Sequence, residues 1–217
     1  MRIYEGKEIS SLVKPSFFIG VDLGQTADYT ALTVLERHGH TPEQYTFHCR
    51  HLQRWQLRTS YAQIVQDVVQ LVNSPTLARN KQDRTVLAID ATGVGAPVID
   101  LFRRERMSAK LVPVLITAGS EVTTENGTTR IPKRNLVSSV SVALQSGKLK
   151  ISEKLQLAGT LVGELENFKA KITTSGNDTY GAGAEWREGN NDDLVLSLAM
   201  AIWCASGGVK AAKFYSM

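Results

Sequence analysis

"FFIGVDLGQTADYTALTVLE" occupies residues 17–36. Two apolar runs flank a short polar break, and the first run carries an acid, Asp22. Short apolar runs bounded by turn residues read as buried strands. A buried carboxylate without a partner is costly, so Asp22 is expected to be hydrogen-bonded, ion-paired or bound to a metal. The break "GQTAD" reads as a turn. A second turn, "HGHTPE", leads to a third strand, "QYTFHCRHLQRW". Three strands at short spacing predict an antiparallel meander.

The pattern then changes. "SYAQIVQDVVQLVNS" has apolar residues at Tyr61, Ile64, Val65, Val68, Val69 and Val72, which is helical spacing, with Thr59 or Ser60 as cap. "TVLAIDATG" is a buried strand ending in an acid, Asp90, and a glycine turn. "APVIDLFRRERM" reads as a helix and "KLVPVLITAG" as a strand. Asn126-Gly127 between Thr-rich flanks signals a hairpin. "NLVSSVSVALQSG" is a helix closed by Gly147, "KLKIS" a short strand, and "KLQLAGTLVGELENF" a helix. "AKITTSGNDTYGAGAEW" reads as a polar hairpin. "DDLVLSLAMAIWCA" is a helix apolar on nearly every face, hence buried. A meander followed by strands alternating with helices is a mixed α/β pattern.

Composition narrows the class. At 217 residues the chain fits one domain or at most two small ones, and its 42% hydrophobic and 21% charged residues are ordinary for a globular protein. We read residues 1–15 as a linker or lead-in and 16–217 as one domain. The longest apolar stretch, 194–205, is too short to span a membrane. The first residues, "MRIYEGKEISS", lack the apolar core of a secretion signal. Cys49 and Cys204 lie far apart and read as reduced thiols of a cytoplasmic protein. A net charge of +4 permits an anionic partner without demanding one.

The acids carry the functional reading. Asp22 and Asp90 each end a strand, and Asp192 and Asp193 open the last helix. If the first and fourth strands are neighbours, Asp22 and Asp90 end at one sheet edge, and a helix aimed at that edge adds the third acid. Such a cluster needs a counter-cation. Oxygen-only ligands suit Mg²⁺ or Mn²⁺, and two such ions about 4 Å apart can activate water and stabilise the leaving oxygen of a phosphodiester. Each acid also has a plainer reading: Asp22 and Asp90 as turn residues, Asp192 and Asp193 as first-turn acids favoured by the helix dipole.

Four stretches, "GVDLGQTADYTAL", "VLAIDATGVGAPVID", "RIPKRNLVSSVSVALQSGKLKI" and "NNDDLVLSLAMAIW", occur in the order found in the nuclease domain of tailed-phage large terminases, which the chain resembles from about Phe17 to Trp203. The resemblance implies an RNase H-like (resolvase/integrase-type) fold: a mixed central sheet flanked by helices, with an added β-hairpin. It implies two-metal cleavage of concatemeric double-stranded DNA during genome packaging in the host cytoplasm. Asp22, Asp90 and Asp193 become the catalytic metal ligands, with Asp192 beside them. The implied partners are double-stranded DNA, the terminase ATPase domain, the small terminase subunit and the portal. The family often has His before the paired acids, where this chain has Asn191. Asn can still cap the helix, so a subsidiary polar contact is what differs. The chain carries no GxxxxGK[ST] loop and is expected, as an excised domain or a fragment, not to hydrolyse ATP.

Around the site, Asp28 could lean on the metals or cap the turn. Lys133 and Arg134 stand at a helix start, where cations oppose the dipole, so structure gains little from them and phosphate contact becomes an equal account. Arg130, ending the Asn-Gly hairpin, is similar. "RRER" at 103–106 lies late in a helix and reads as a solvated face. His48 and His51 fall on opposite faces of a regular strand, which argues against zinc. Trp55 and Trp203 read as packing, and Trp186 as the one tryptophan in a polar loop. Rival readings are a Holliday-junction resolvase-like nuclease, an actin-like or sugar-kinase-type ATP-binding fragment, and a DNA-binding module without activity.

Overall fold

The computed structural model describes residues 16–24, 28–78, 85–93, 96–174 and 192–208. The lead-in 1–15, Asn191, Trp186 and most of the expected polar hairpin lie outside these residues. The meander is β1 (Ser16–Asp22), β2 (Ala31–His38) and β3 (Thr46–Arg54), followed by α1 (Tyr61–Val72). Then come β4 (Thr85–Asp90), α2 (Ala96–Arg104) and β5 (Ala109–Thr117). The hairpin is β6 (Thr123–Glu125) and β7 (Thr128–Pro132); α3 (Lys133–Gln145), β8 (Leu149–Ile151), α4 (Ala158–Thr174) and α5 (Asp193–Trp203) complete the order.

The described strands form one eight-stranded sheet in the order β6-β7-β5-β4-β1-β2-β3-β8. β2 and β6 run against the other strands. The expected mixed sheet, flanking helices and added hairpin are all present. The Asn-Gly hairpin turns through two positive φ values, 50° at Asn126 and 74° at Gly127, the geometry of a tight type I′ connection. Ser60 is the cap of α1, its side chain accepting from the Gln63 N–H.

Alternation along the strands makes two cores. Phe18, Ala88, Val114, Leu52 and Leu35 face the side covered by α3, α4 and α5. Ile19, Val21, Leu32, Leu87 and Ile89 face the side covered by α1 and α2. Cys49 and Cys204 are both buried, and burial pushes each thiol up to about 12. Trp55 and Trp203 are core residues, and the Trp55 indole N–H donates to Asp67. No described helix is long and apolar enough to cross a membrane.

Three expectations need correction. The stretch 170–174, expected as hairpin, continues α4. The last helix was read with Asn191 as cap, but Asp192 occupies the cap position, makes no side-chain cap bond, and leaves Asp193 as the first helical residue. His48 and His51 do not face opposite ways. A bulge in the β2–β3 pairing sets His48 opposite Glu36 and His51 opposite Val34, so both fall on the α1/α2 face. Their ring nitrogens engage Thr46 and Gln53 respectively, so the conclusion against zinc stands on those partners instead.

Every residue of α5 is buried, as a helix apolar all round must be. It lies directly on β1. A Cβ at Gly20 would meet the Ser197 carbonyl oxygen at 1.9 Å and the Ala201 nitrogen at 3.1 Å. Gly20→Ala therefore has to lift a buried helix off the sheet. We expect a cost of about 3 kcal/mol, read as a fall of roughly 6–12 °C in Tm for a domain of this size. A melt within 2–3 °C of wild type would mean that α5 is less tightly seated.

Candidate active site

Strand register assembles the site. β1 and β4 pair in parallel with Val21 opposite Ile89, so the next position brings Asp22 beside Asp90. Ala31 is opposite Asp22 on one side and Arg54 on the other. Val114 is opposite Asp90, and Thr129 opposite Val114. One row thus crosses the carboxyl end of the parallel strands: Thr129, Val114, Asp90, Asp22, Ala31, Arg54. Neighbouring strands lie about 4.8 Å apart, so Asp22 and Asp90 are adjacent and Arg54 is two strands from Asp22. Alternation from Phe18 and Ala88 turns both acids to the α5 face. Both are buried, Asp22 at 8% and Asp90 at 2% exposure.

The turns beyond the strands are fixed locally. One Asp90 carboxylate oxygen accepts the Thr92 N–H at 2.8 Å, and the Thr92 hydroxyl oxygen accepts the Ile116 N–H at 2.9 Å. The turn reading of Asp90 is therefore correct as far as it goes, and does not exclude a second role. After Asp22, the Thr30 hydroxyl oxygen accepts the Gly24 N–H, while the Tyr61 hydroxyl donates to the Gly24 carbonyl.

The third acid comes from the head of α5. Asp193 is buried and Asp192 half-buried. Burial pushes the Asp193 carboxyl up to about 6 against the pull of Arg54, and Asp192 and Asp28 push it the same way. Asp28, exposed beyond the turn, is thus within electrostatic reach of Asp193. The Asp193 Oδ2 lies 3.3 Å from an Arg54 guanidinium nitrogen, an ion pair without hydrogen-bond geometry, so this buried oxygen has no hydrogen-bond partner.

Two residues not singled out in the sequence complete the site. Glu164, on α4, accepts the backbone N–H groups of Leu194 at 3.1 Å and Val195 at 3.2 Å. It caps α5 from another helix, where Asp192 does not. Its other oxygen accepts from Arg54, and burial pushes its carboxyl up to about 7 despite that cation. Glu164 shares a helical face with the buried Leu161 and Leu165. An acid on an apolar stripe is the signal that marks it in sequence. Arg54 extends the inward series Phe47, Cys49, Leu52 past a bulge that no sequence pattern announces.

The basic candidates lie on α3 and the hairpin. Lys133 and Arg134 open α3 directly beyond β7, at the same carboxyl end as the acids. Arg134 donates to the Ser120 carbonyl at 2.7 Å, so it has a structural use as well. Arg130 is exposed, 3.9 Å from Glu125, and its alternation with the buried Thr129 and Ile131 turns it to the opposite face of the sheet from the acids. Arg103 pairs with Asp100 along α2, in keeping with a solvated face.

Among the described residues, no three His, Cys, Asp or Glu side chains form a group that could hold a metal ion as they stand. The chemistry of the donors nevertheless fits a hard divalent cation: carboxylate oxygens from three elements, buried, one of them without a hydrogen bond.

A mixed sheet with acids at the carboxyl edge of two adjacent parallel strands and a third at a helix head is the architecture of an RNase H-like nuclease. Residues 19–203 match the family model for the terminase RNaseH-like domain, and the chain belongs to that family. Among solved structures it is similar to the human cytomegalovirus terminase nuclease domain, manganese-soaked and inhibitor-bound, with a TM-score of 0.55 at 15% identity over 87% of this chain and 82% of that one. It is also similar to the large terminase nuclease of thermophilic phage G20c, with a TM-score of 0.52 at 20% identity over 86% of this chain and 81% of that one. The magnesium-bound form of the G20c nuclease gives a TM-score of 0.52 at 20% identity over 87% and 80%. No curated protein matches it. The family match displaces the ATP-binding and resolvase readings.

Glu164→Ala removes both the cap of α5 and the partner of half-buried Arg54. We expect a loss of about 3–5 kcal/mol, or roughly 6–20 °C in Tm. Glu164→Gln keeps an oxygen for Leu194 and Val195 and should lose less than half as much. Equal losses in thermal melts would show that the charge, and not the cap, is what matters.

Proposed function

We propose that this chain is a divalent-metal-dependent endonuclease that cuts double-stranded DNA during viral genome packaging. Asp22, Asp90 and Asp193 are its ligands, and Asp192 stands beside them. The observation that carries the reading is the register that sets Asp22 beside Asp90 on the face where α5 brings Asp193, one oxygen of which accepts no hydrogen bond. Two Mg²⁺ or Mn²⁺ ions, if bound, would be held by these carboxylates and would supply positive charge at the phosphate and lower the pKa of the attacking water. The protein's part is to hold oxygen ligands on rigid elements. Asp22 and Asp90 are fixed by the sheet, and the Thr92 N–H orients the Asp90 carboxylate. Asp28 and Asn191 support the site from outside the ligands. Lys133 and Arg134 receive the DNA backbone, with Arg130 at the periphery. The wider partners are the packaging ATPase domain, the small terminase subunit and the portal, in the host cytoplasm; membership of a terminase family supports that setting.

Supercoiled plasmid incubated with Mn²⁺ or Mg²⁺ should be nicked and then linearised without ATP, and EDTA should stop it. Asp22→Asn, Asp90→Asn and Asp193→Asn should each abolish cleavage with circular dichroism unchanged. Cleavage that survives EDTA, or that needs ATP, contradicts the reading.

Acids held together without an ion repel one another, so function is kept at some expense of stability. Asp90→Asn keeps an oxygen to accept from Thr92 and removes one charge. In EDTA it should melt above wild type by roughly 2–4 °C, as about 1 kcal/mol of relieved repulsion gives. Millimolar Mn²⁺ should raise the wild-type Tm and leave the mutant's nearly unmoved. A mutant less stable in EDTA and equally stabilised by Mn²⁺ makes Asp90 a turn residue alone.

A further inference from the structure

Arg54 is a cation in a row of acids, and its guanidinium is divided among several neighbours. It donates to Glu164, approaches Asp193 Oδ2 at 3.3 Å, and sits over the Tyr29 ring, 4.9 Å from its centroid. Its side chain is 14% exposed. We propose that Arg54, clamped by Glu164, is the positioning residue for Asp193, fixing the third acid relative to Asp22 and Asp90 before an ion binds. The inference rests on the reading of those acids as ligands.

The alternative is a plain ion pair tying α4 to β3. That tie needs only Glu164 and Arg54, and leaves the approach to Asp193 unexplained. The approach has a feature suited to positioning: it orients the carboxylate by charge without occupying an Oδ2 hydrogen-bonding direction. The oxygen has no hydrogen bond to give up when an ion binds. A bare cation there would repel a metal, but Glu164 neutralises it. Two strands, or about 9.6 Å of backbone separation, also keep Arg54 away from Asp22. Because Glu164 simultaneously caps Leu194 and Val195, one carboxylate sets both the head of α5 and the cation that aims its first acid. Both approaches use one terminal nitrogen, Nη2, and the guanidinium plane that carries it lies against the Tyr29 ring; an ammonium is a point charge without that plane and is not held in the same place.

The test is calorimetric titration of the metal-free chain with MnCl₂, without DNA, on wild type, Arg54→Lys, Glu164→Gln and Asp90→Asn. Melts in EDTA and KM for DNA at saturating Mn²⁺ accompany it. Arg54→Lys misaims Asp193, and Glu164→Gln leaves Arg54 to compete with the ion. Both should weaken the Mn²⁺ Kd by about 10–100-fold, as loss of an outer partner of a metal ligand does. Both should still unfold cooperatively, with KM for DNA little changed, because no DNA contact is lost. If both variants bind Mn²⁺ within about twofold of wild type while Asp90→Asn does not bind, Arg54 is a structural tie and the proposal falls, with the ligand reading intact. If Asp90→Asn binds Mn²⁺ like wild type, the ligand reading itself falls. Should Arg54→Lys not fold, Glu164→Gln decides the question alone.

Discussion

The backbone of α5 rests on the backbone of β1, with the Ser197 carbonyl over Gly20, and the site depends on that contact. At the same level Ser197 bonds the hydroxyl of Thr33, the register partner of Gly20 on β2. From there the two elements climb together. Asp193 lies four residues before Ser197, one helical turn or about 6 Å toward the carboxyl edge, on the same helix face. Asp22 lies two residues after Gly20, about 6.6 Å in the same direction and on the same sheet face. A turn of helix and two strand residues nearly match, so one seating contact brings the third acid level with the row that runs from Asp90 to Arg54. Its 3.3 Å approach to Arg54 is the outcome of that match.

Burying several carboxylates at one place is expensive, and the fold offsets it in more than one way. Burial drives both Asp193 and Glu164 toward neutrality. Against this stand the Arg54 guanidinium and the positive end of the α5 dipole, which favours anions in its first turn. Glu164 uses that end most fully, through two backbone N–H groups. The repulsion of Asp193 by Asp192 and Asp28 still works against it. The same buried helix end that lowers the cost of the cluster also fixes its geometry, so stability and ligand placement cannot be tuned independently.

Much of this was legible in the sequence because the strands obey simple patterns. Short apolar runs bounded by turn residues, a glycine turn after each strand-end acid, and Asn126-Gly127 gave the meander, the β4 strand and the hairpin at their observed places. Asp22, Asp90 and Asp193 stood out as acids at the ends of apolar elements. What was hidden involved contacts between elements distant in sequence. Glu164 and Arg54 are 110 residues apart, and neither has a local reason to matter. The bulge that turns His48 and His51 to one face leaves no composition signal. The cap of α5 was sought in the residues before it, but it comes from α4, and no local capping pattern can report that.

The cations divide by environment into two kinds, and the division bears on how the proposed substrate would be held. Arg54 is half-buried and paired with Glu164 and Asp193. Lys133 and Arg134 head α3, where a cation opposes the dipole at a cost of about 0.3–1 kcal/mol each. Arg134 recovers part of that cost through Ser120, which also ties the segment ahead of β6 to the head of α3. Pro132 is opposite Thr117, three residues beyond the Val114–Thr129 level, so this positive head lies about 10 Å further along the strand direction than the acid row. A positive helix end carrying two cations, set one step outward from a buried row of acids, is an arrangement that stabilises neither part by itself. On the proposed reading it would gain when a polyanion bridges them, with one phosphate over a metal held by the acids and its neighbours along the backbone toward the head of α3. That reading requires the negative row to be converted to a positive one first, which would make metal binding the condition for DNA binding at the cleavage point and would leave the α3 head to hold DNA weakly without it.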